Sequence, residues 1–391
     1  MSERLARRLG LGDAVVVGLG AMIGAGVFAV LAPAARVAGS ALLAGLLIAA
    51  VVALCNATSS ARLAAVHPES GGTYVHGRER LGEFWGHLAG WGFVVGKTAS
   101  CAAMALTFAT YAAPGHARAL AVAAVVALTA LNCFGVRKSA LVTRVVVAAV
   151  LLVLAAVVVT GFTRPPAPLG EAHPGGVLQA AGLMFFAFAG YARIATLGEE
   201  VRDPERTIPR AVPIALGTTL VVYLLVALAA LHAVGADALA TSPDALVAVA
   251  PGLAPLVRAG AALATLGALL ALILGVSRTV LAMARDRHLP SRLATVRRGV
   301  PVAAEIAVGC VVVLLVLVVD LRDAIGFSSF CVLVYYAVAN ASALTLPGRR
   351  PVAVLGLAGC LVLAFSLPGT AVLAGAGVLA AGVLVRLARR A

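Results

Sequence analysis

The chain has 391 residues, 62% of them hydrophobic and 12% charged, with a mean hydropathy of +1.05. A soluble domain carries about 25% charged residues, so water is excluded as the main solvent and an all-α integral membrane protein is expected. The net charge of +14 does not indicate a nucleic-acid partner, because Lys and Arg are dealt out loop by loop rather than gathered on one solvated face.

A membrane span needs about 20 apolar residues, and the apolar runs predict twelve helices in one membrane domain covering residues 1–391. They are Asp13–Arg36, Ser40–Ala64, Phe84–Ala112, Ala117–Phe134, Leu141–Gly161, Val177–Leu197, Pro213–Val234, Leu256–Met283, Val302–Val319, Ile325–Leu346, Val352–Leu367 and Thr370–Leu387. MSERLARRLG leads straight into the first span, so no cleavable signal peptide is expected. With an inside N-terminus, inner segments hold 22 Lys and Arg residues and outer segments hold five (Arg36, Arg118, Arg164, Arg258 and Arg322). Cytoplasmic loops retain basic residues, so both termini are expected in the cytoplasm and the protein in a cytoplasmic, multi-pass membrane location. The six cysteines lie in apolar runs with no CxxC pair and are expected to be small core residues; no metal or cofactor is indicated.

The first span carries GLGAMIGAGVF, Gly18 to Phe28. A nucleotide loop is ruled out by its spacing and by the lack of a preceding strand. Either the glycines admit a neighbouring helix closely, or they break the helix, since glycine is a poor helix former. The sixth span carries FFAFAGYARIAT around Gly190. Each of these spans opens a block of five, residues 13–161 and 177–346, with residues 352–387 left as two additional helices. Five is odd, so the second block would sit inverted relative to the first, and paired broken segments in two such halves point to a transporter's binding site. A broken helix offers N–H groups to a carboxylate and C=O groups to an ammonium. Donors near Ala25 and Gly26 and acceptors near Phe188 and Ala189 suit a zwitterionic amino acid.

These segments, with HPESGGTYVH, GEFWGHLAGW, LNCFGVRKSA, GEEVRDPERTIPRA and SRTVLAMARDRHLP, resemble the amino acid-polyamine-organocation superfamily, in its branch of cationic and broad-specificity amino acid transporters. The resemblance runs from Gly18 to about Pro290. It implies a leucine-transporter-type fold: a five-plus-five inverted repeat with broken helices 1 and 6 and two extra helices. It places carboxylate binding on Ile23, Gly24, Ala25 and Gly26, the second break on Phe188, Ala189 and Gly190, and an aromatic closing over substrate on Phe186. Ordinary helix packing is the competing explanation for the phenylalanines. Two departures stand out. Relatives' acidic residue after the helix 6 Gly-aromatic pair is replaced by Ala192 and Arg193, which weakens the case for a cationic substrate, and the fifth span has no ionisable residue in VVVAAVLLVLAAVVV.

Two further groups carry expectations. Glu199 and Glu200, with Arg202, Arg206 and Arg278 available as partners, would form a cytoplasmic gate or simply a solvated helix end. Lys97 lies about 13 residues into the third span, roughly 20 Å along the axis, where a charged lysine is costly. It is the proton-coupling candidate, donating to carbonyls freed in helix 1; the alternative is a fixed donor bracing the unwound segment. Gly267–Val276, GALLALILGV, offers no hydroxyl for a sodium ion. A secondary active amino acid transporter in the lipid bilayer, proton-coupled and sodium-independent, is therefore expected. A non-transporting sensor or subunit is the rival, and an intramembrane enzyme is disfavoured because HExxH and GxSxG are absent.

Overall fold

The protein is described by a computed structural model over residues 9–67, 71–135, 140–195, 201–297, 299–348 and 350–388. Among these residues the architecture is helical throughout, and the only extended pairings are three isolated bridges. In chain order the helices are α1 (Leu11–Ile23), α2 (Gly26–Ala29), α3 (Leu31–Ala38), α4 (Leu42–Val66), α5 (Thr73–Leu81), α6 (Glu83–Ala112), α7 (Ala117–Cys133), α8 (Ala140–Thr163) and α9 (Val177–Phe188). They continue with α10 (Ala192–Ala195), α11 (Pro204–Thr241), α12 (Ala245–Val249), α13 (Ala254–Arg285), α14 (Val302–Val318), α15 (Leu321–Leu344), α16 (Arg350–Ser366) and α17 (Gly369–Ala388).

In hydrocarbon every backbone N–H and C=O must be paired within the chain, which selects helices. Ten helical stretches among the described residues are long and apolar enough to cross a membrane. The apolar helices α14 and α16 have 17 residues each, roughly 26 Å of helix against a core of about 30 Å. α11 begins nine residues before the hydropathy edge at Pro213, because its polar first turns, PERTIPRA, continue the helix beyond the apolar run. α5 was not expected at all. It is a short polar helix between the second and third apolar runs, bounded by Gly72 and Gly82 with φ of 57° and 98°, values that favour glycine.

α6 is the central post, packed against α5, α13 and α15. The peripheral helices present apolar side chains outward, among them Leu152, Phe365 and Leu373, as a lipid solvent requires. Cys310 is on such an outward face rather than in the core, and Cys133 is half-buried; the other four cysteines are buried. One group of buried polar side chains, on α4, α15 and α16, is joined by hydrogen bonds. Asn340 on α15 donates to Asn56 Oδ1 on α4 at 2.6 Å and accepts from Ser59 Oγ at 2.7 Å, and Cys360 Sγ on α16 also donates to Asn56 Oδ1.

Candidate functional site

The first span is broken where its glycines suggest. α1 ends at Ile23, Gly24 leaves helical geometry at φ −40° and ψ −81°, and α2 restarts at Gly26 after Ala25. α2 runs into α3 through Val30, itself in the right-handed helical region. The sixth span is interrupted more mildly. α9 stops at Phe188, one 3-10 turn covers Ala189–Tyr191, and α10 resumes at Ala192.

The two interruptions touch. A Cβ on Gly190 would lie 2.4 Å from the Ala21 carbonyl oxygen, and one on Gly26 would lie 2.8 Å from Ala187 Cα, so only glycine permits the backbones to approach this closely. Tyr223 on α11 spans the junction. Its hydroxyl is 2.6 Å from Met22 O and 3.2 Å from Ala187 O, donating across carbonyls at the end of α1 and in the last turn of α9.

A cavity of about 460 Å³ ends on these interruptions. Ile23, Gly24, Phe186, Ala189 and Gly190 line its inner part with Lys97, Ser100 and Met104 of α6 and a small-residue face of α13 that includes Ala264 and Ala268. Its mouth is framed by Leu9, Gly71, Tyr74, Arg278 and Ala282. Beyond the blind end, Phe28 and Tyr111 meet edge to face at 5.5 Å, and the Tyr111 hydroxyl donates to Phe28 O and accepts from Leu246 N–H. Ala25, Gly26 and Phe188 are buried outside the lining; Phe188 packs on Tyr223 with ring centres 5.2 Å apart.

Lys97 is buried, with 7% of its surface exposed. Its Nζ donates to Ala189 O at 3.2 Å. The expected carbonyl was one freed in the first span; the observed one belongs to the sixth, because the register of α6 turns Lys97 toward the 3-10 turn. Tyr336 Oη also donates to Ala189 O, at 3.4 Å. Arg193 and Arg278 line the cavity as well, and among the described lining residues there is no carboxylate.

Of the proposed gate, Glu199 and Glu200 lie outside the described residues. Arg278 lines the cavity, whereas Arg202 is exposed and contributes a backbone N–H to Leu9 O at 2.9 Å. The mouth carries another cluster that the sequence did not flag. Tyr74 Oη donates to Asp286 Oδ2 at 2.5 Å and lies 2.9 Å from His288 Nδ1, while Arg78 Nη1 pairs with the same Asp286 oxygen at 2.9 Å. Burial and the Asp286 carboxylate push the Tyr74 phenol well above its ordinary value. Also on α5, burial pushes His76 down to about 4.

Sequence reasoning missed Tyr223, Tyr335 and Tyr336. A lone tyrosine within the apolar run TLVVYLLVALAA is a signal for the first, since a buried hydroxyl needs a partner. The YY pair within α15 is a weaker one.

The model of the amino acid permease family matches residues 9–386. The chain is 63% identical to an uncharacterized transporter of Mycobacterium tuberculosis, over 99% of this chain and 92% of that protein. It is 27% identical to the branched-chain amino acid permease BcaP of Bacillus subtilis, over 96% of this chain and 87% of the permease. With human cationic amino acid transporter 4 it shares 28% identity, over 88% of this chain and 60% of the transporter.

Proposed function

The chain belongs to the amino acid permease family, whose model covers it from residue 9 to 386, and we propose that it is a secondary active transporter moving amino acids across a cytoplasmic membrane by alternating access. The observation that carries this reading is the cavity of about 460 Å³ ending on two facing helix interruptions. The volume is in the range of about 300–1,000 Å³ typical of small-molecule sites. The substrate carboxylate binds at the first break, at Ile23, Gly24, Ala25 and Gly26, using the N–H groups that begin the run through α2 and α3. Its ammonium faces the second break, at Phe188, Ala189 and Gly190, and Phe186 covers the side chain. The two breaks open the two halves of a five-plus-five inverted repeat, residues 13–161 and 177–346, followed by two additional helices.

The basic residues around the mouth, including Arg78, Arg80, Arg285 and Arg287, support a cytoplasmic position for that end by the positive-inside rule. The cavity is then inward-open, with Phe28 and Tyr111 sealing the outer side. Glu199, Glu200, Arg202 and Arg278 remain candidates for the cytoplasmic gate. Lys97 couples transport to protons: its ammonium is held on a carbonyl at the site itself, where loading changes its surroundings. The non-transporting sensor or subunit is the alternative reading. The deciding experiment offers radiolabelled amino acids to purified protein in liposomes. Saturable entry of at least one is expected, and absence of entry and of exchange for all of them would refute transport.

A further inference from the structure

We propose that the Lys97 ammonium and the substrate's α-ammonium compete for one acceptor, the Ala189 carbonyl oxygen, so that amino acid and proton cross the membrane in opposite directions. This rests on the cavity being an amino acid site. A carbonyl oxygen has two lone pairs, and both acceptor positions on Ala189 O are taken, by Lys97 Nζ at 3.2 Å and Tyr336 Oη at 3.4 Å. An ammonium arriving at the blind end must displace one donor. Tyr336 is clamped, its ring 5.0 Å from Tyr335, 5.1 Å from Tyr191 and 5.8 Å from Phe185. Lys97 is held by a flexible four-carbon stem and is the one that can leave.

Once displaced, a charged Lys97 and the substrate ammonium share a small, largely apolar space in which like charges repel strongly. Nothing described in the lining offsets this. The other ionisable groups facing the cavity are the cations Arg193 of α10 and Arg278 of α13 and the neutral hydroxyls of Tyr74 and Tyr335. Behind Lys97 stand the Cys101 thiol, one turn along α6, and fully buried Glu305 of α14, which is beyond Cys101 and engaged by Asn132 Nδ2 at 3.4 Å. The repulsion is relieved when a Lys97 N–H bond breaks, the electron pair staying on Nζ and the proton passing to water at the open mouth. When substrate leaves, Nζ takes a proton back and returns to Ala189 O. A site that holds either the proton or the substrate exchanges one for the other.

The test uses purified full-length protein in liposomes with radiolabelled L-alanine and L-leucine, under pH differences of each sign. Interior-acid liposomes are expected to accumulate label and exterior-acid ones are not. Wild-type apparent affinity should strengthen as pH rises, by up to about tenfold per unit while proton and substrate compete. Lys97→Gln should keep label exchange, lose gradient-driven accumulation and bind with a pH-independent affinity. Accumulation driven by exterior acid, or affinity that is flat or weakens with rising pH, overturns the competition while leaving the amino acid site standing. No exchange of any common amino acid overturns the site itself, and the competition with it. Should Lys97→Gln fail to fold, Lys97→Arg keeps a cation throughout and is expected to bind weakly at every pH; a wild-type-like pH response in that variant overturns the proposal.

Discussion

The backbone of Gly190 rests on that of Ala21 with no space for a side chain: an added Cβ would sit 2.4 Å from the Ala21 oxygen and 2.5 Å from its carbonyl carbon. Gly190→Ala must therefore push the sixth-span turn away from α1, and overpacking of this kind costs about 1–3 kcal/mol. Uptake is expected to fall at least about fivefold, at one decade per 1.4 kcal/mol, with a lowered melting temperature in detergent. Gly217→Ala on α11, where a Cβ meets nothing within 4 Å, is the matched control and should leave uptake unchanged without lowering the melting temperature, since alanine is the better helix former.

Tyr223→Phe removes one hydroxyl and leaves the ring packed on Phe188. Met22 O and Ala187 O lose a shared donor, for a loss of about 0.5–1.5 kcal/mol. Since those carbonyls flank both interruptions, transport should weaken more than overall stability does. Initial uptake rates set beside thermal melting of the same preparation check this; a lowered melting point with unchanged uptake would reduce Tyr223 to packing.

Much of this architecture was legible in the sequence, and the gaps have physical reasons. Hydropathy located the long helices because burial in lipid demands continuous apolar runs, and Gly18 to Gly26 announced the first break. Depth along the third span singled out Lys97, but hydropathy gives depth and not rotation, so the carbonyl it meets, Ala189 O, was legible only in three dimensions. α5 escaped because its nine residues are mostly polar and bury just one stretch, Thr73 to Gly77. The junction made by Tyr223 joins residues about 200 positions apart, |i−j| being 201 to Met22, a relationship that no local pattern encodes.

Charge should govern which amino acids enter. Lys97, Arg193 and Arg278 line the cavity, and the described lining contributes no carboxylate, while two like charges 4 Å apart interact by about 4 kcal/mol at an effective dielectric of 20. Neutral amino acids with apolar side chains are expected to compete for uptake of labelled L-leucine, and L-arginine and L-lysine to compete at least about tenfold less well. Equal competition by L-arginine would show that an acidic group outside this lining serves the site.

Sodium should be dispensable. A hard cation needs several oxygen ligands, and of the α13 hydroxyls flanking Gly267–Val276, Thr265 and Ser277 are outside the cavity lining and donate to Ala261 O at 2.6 Å and Ile273 O at 2.8 Å, while Thr279 alone lines the cavity and turns back to Gly275 O at 3.3 Å. Replacing sodium by choline at fixed pH and ionic strength should leave the initial uptake rate unchanged. A several-fold drop would require those hydroxyls to turn outward.

Acid should loosen the mouth of the cavity through His76. This imidazole on α5 is 3% exposed, and its Nδ1 has no hydrogen-bond partner among the described residues. Burial pushes it down to about 4 from an ordinary 6.5, with the neighbouring His67 ring, 6.2 Å away, adding repulsion if both were charged. The sign follows from proton uptake. Above about 6.5 the imidazole is neutral whether α5 is docked or displaced, so the full stability is present. Between about 6.5 and 4 the displaced, hydrated state binds a proton that the docked state refuses, and docking weakens by roughly 1.4 kcal/mol per pH unit. By pH 4 the loss is on the order of 3 kcal/mol. Hydrogen exchange over Thr73–Leu81 should therefore accelerate as pH is lowered through this window, after correction for intrinsic exchange rates. His76→Gln, which cannot gain a proton there, should remove most of that pH dependence while keeping a side chain of similar size. An equally steep acid response in the variant would assign it to another group, and the Tyr74, Asp286 and His288 cluster at the mouth would be the next to test.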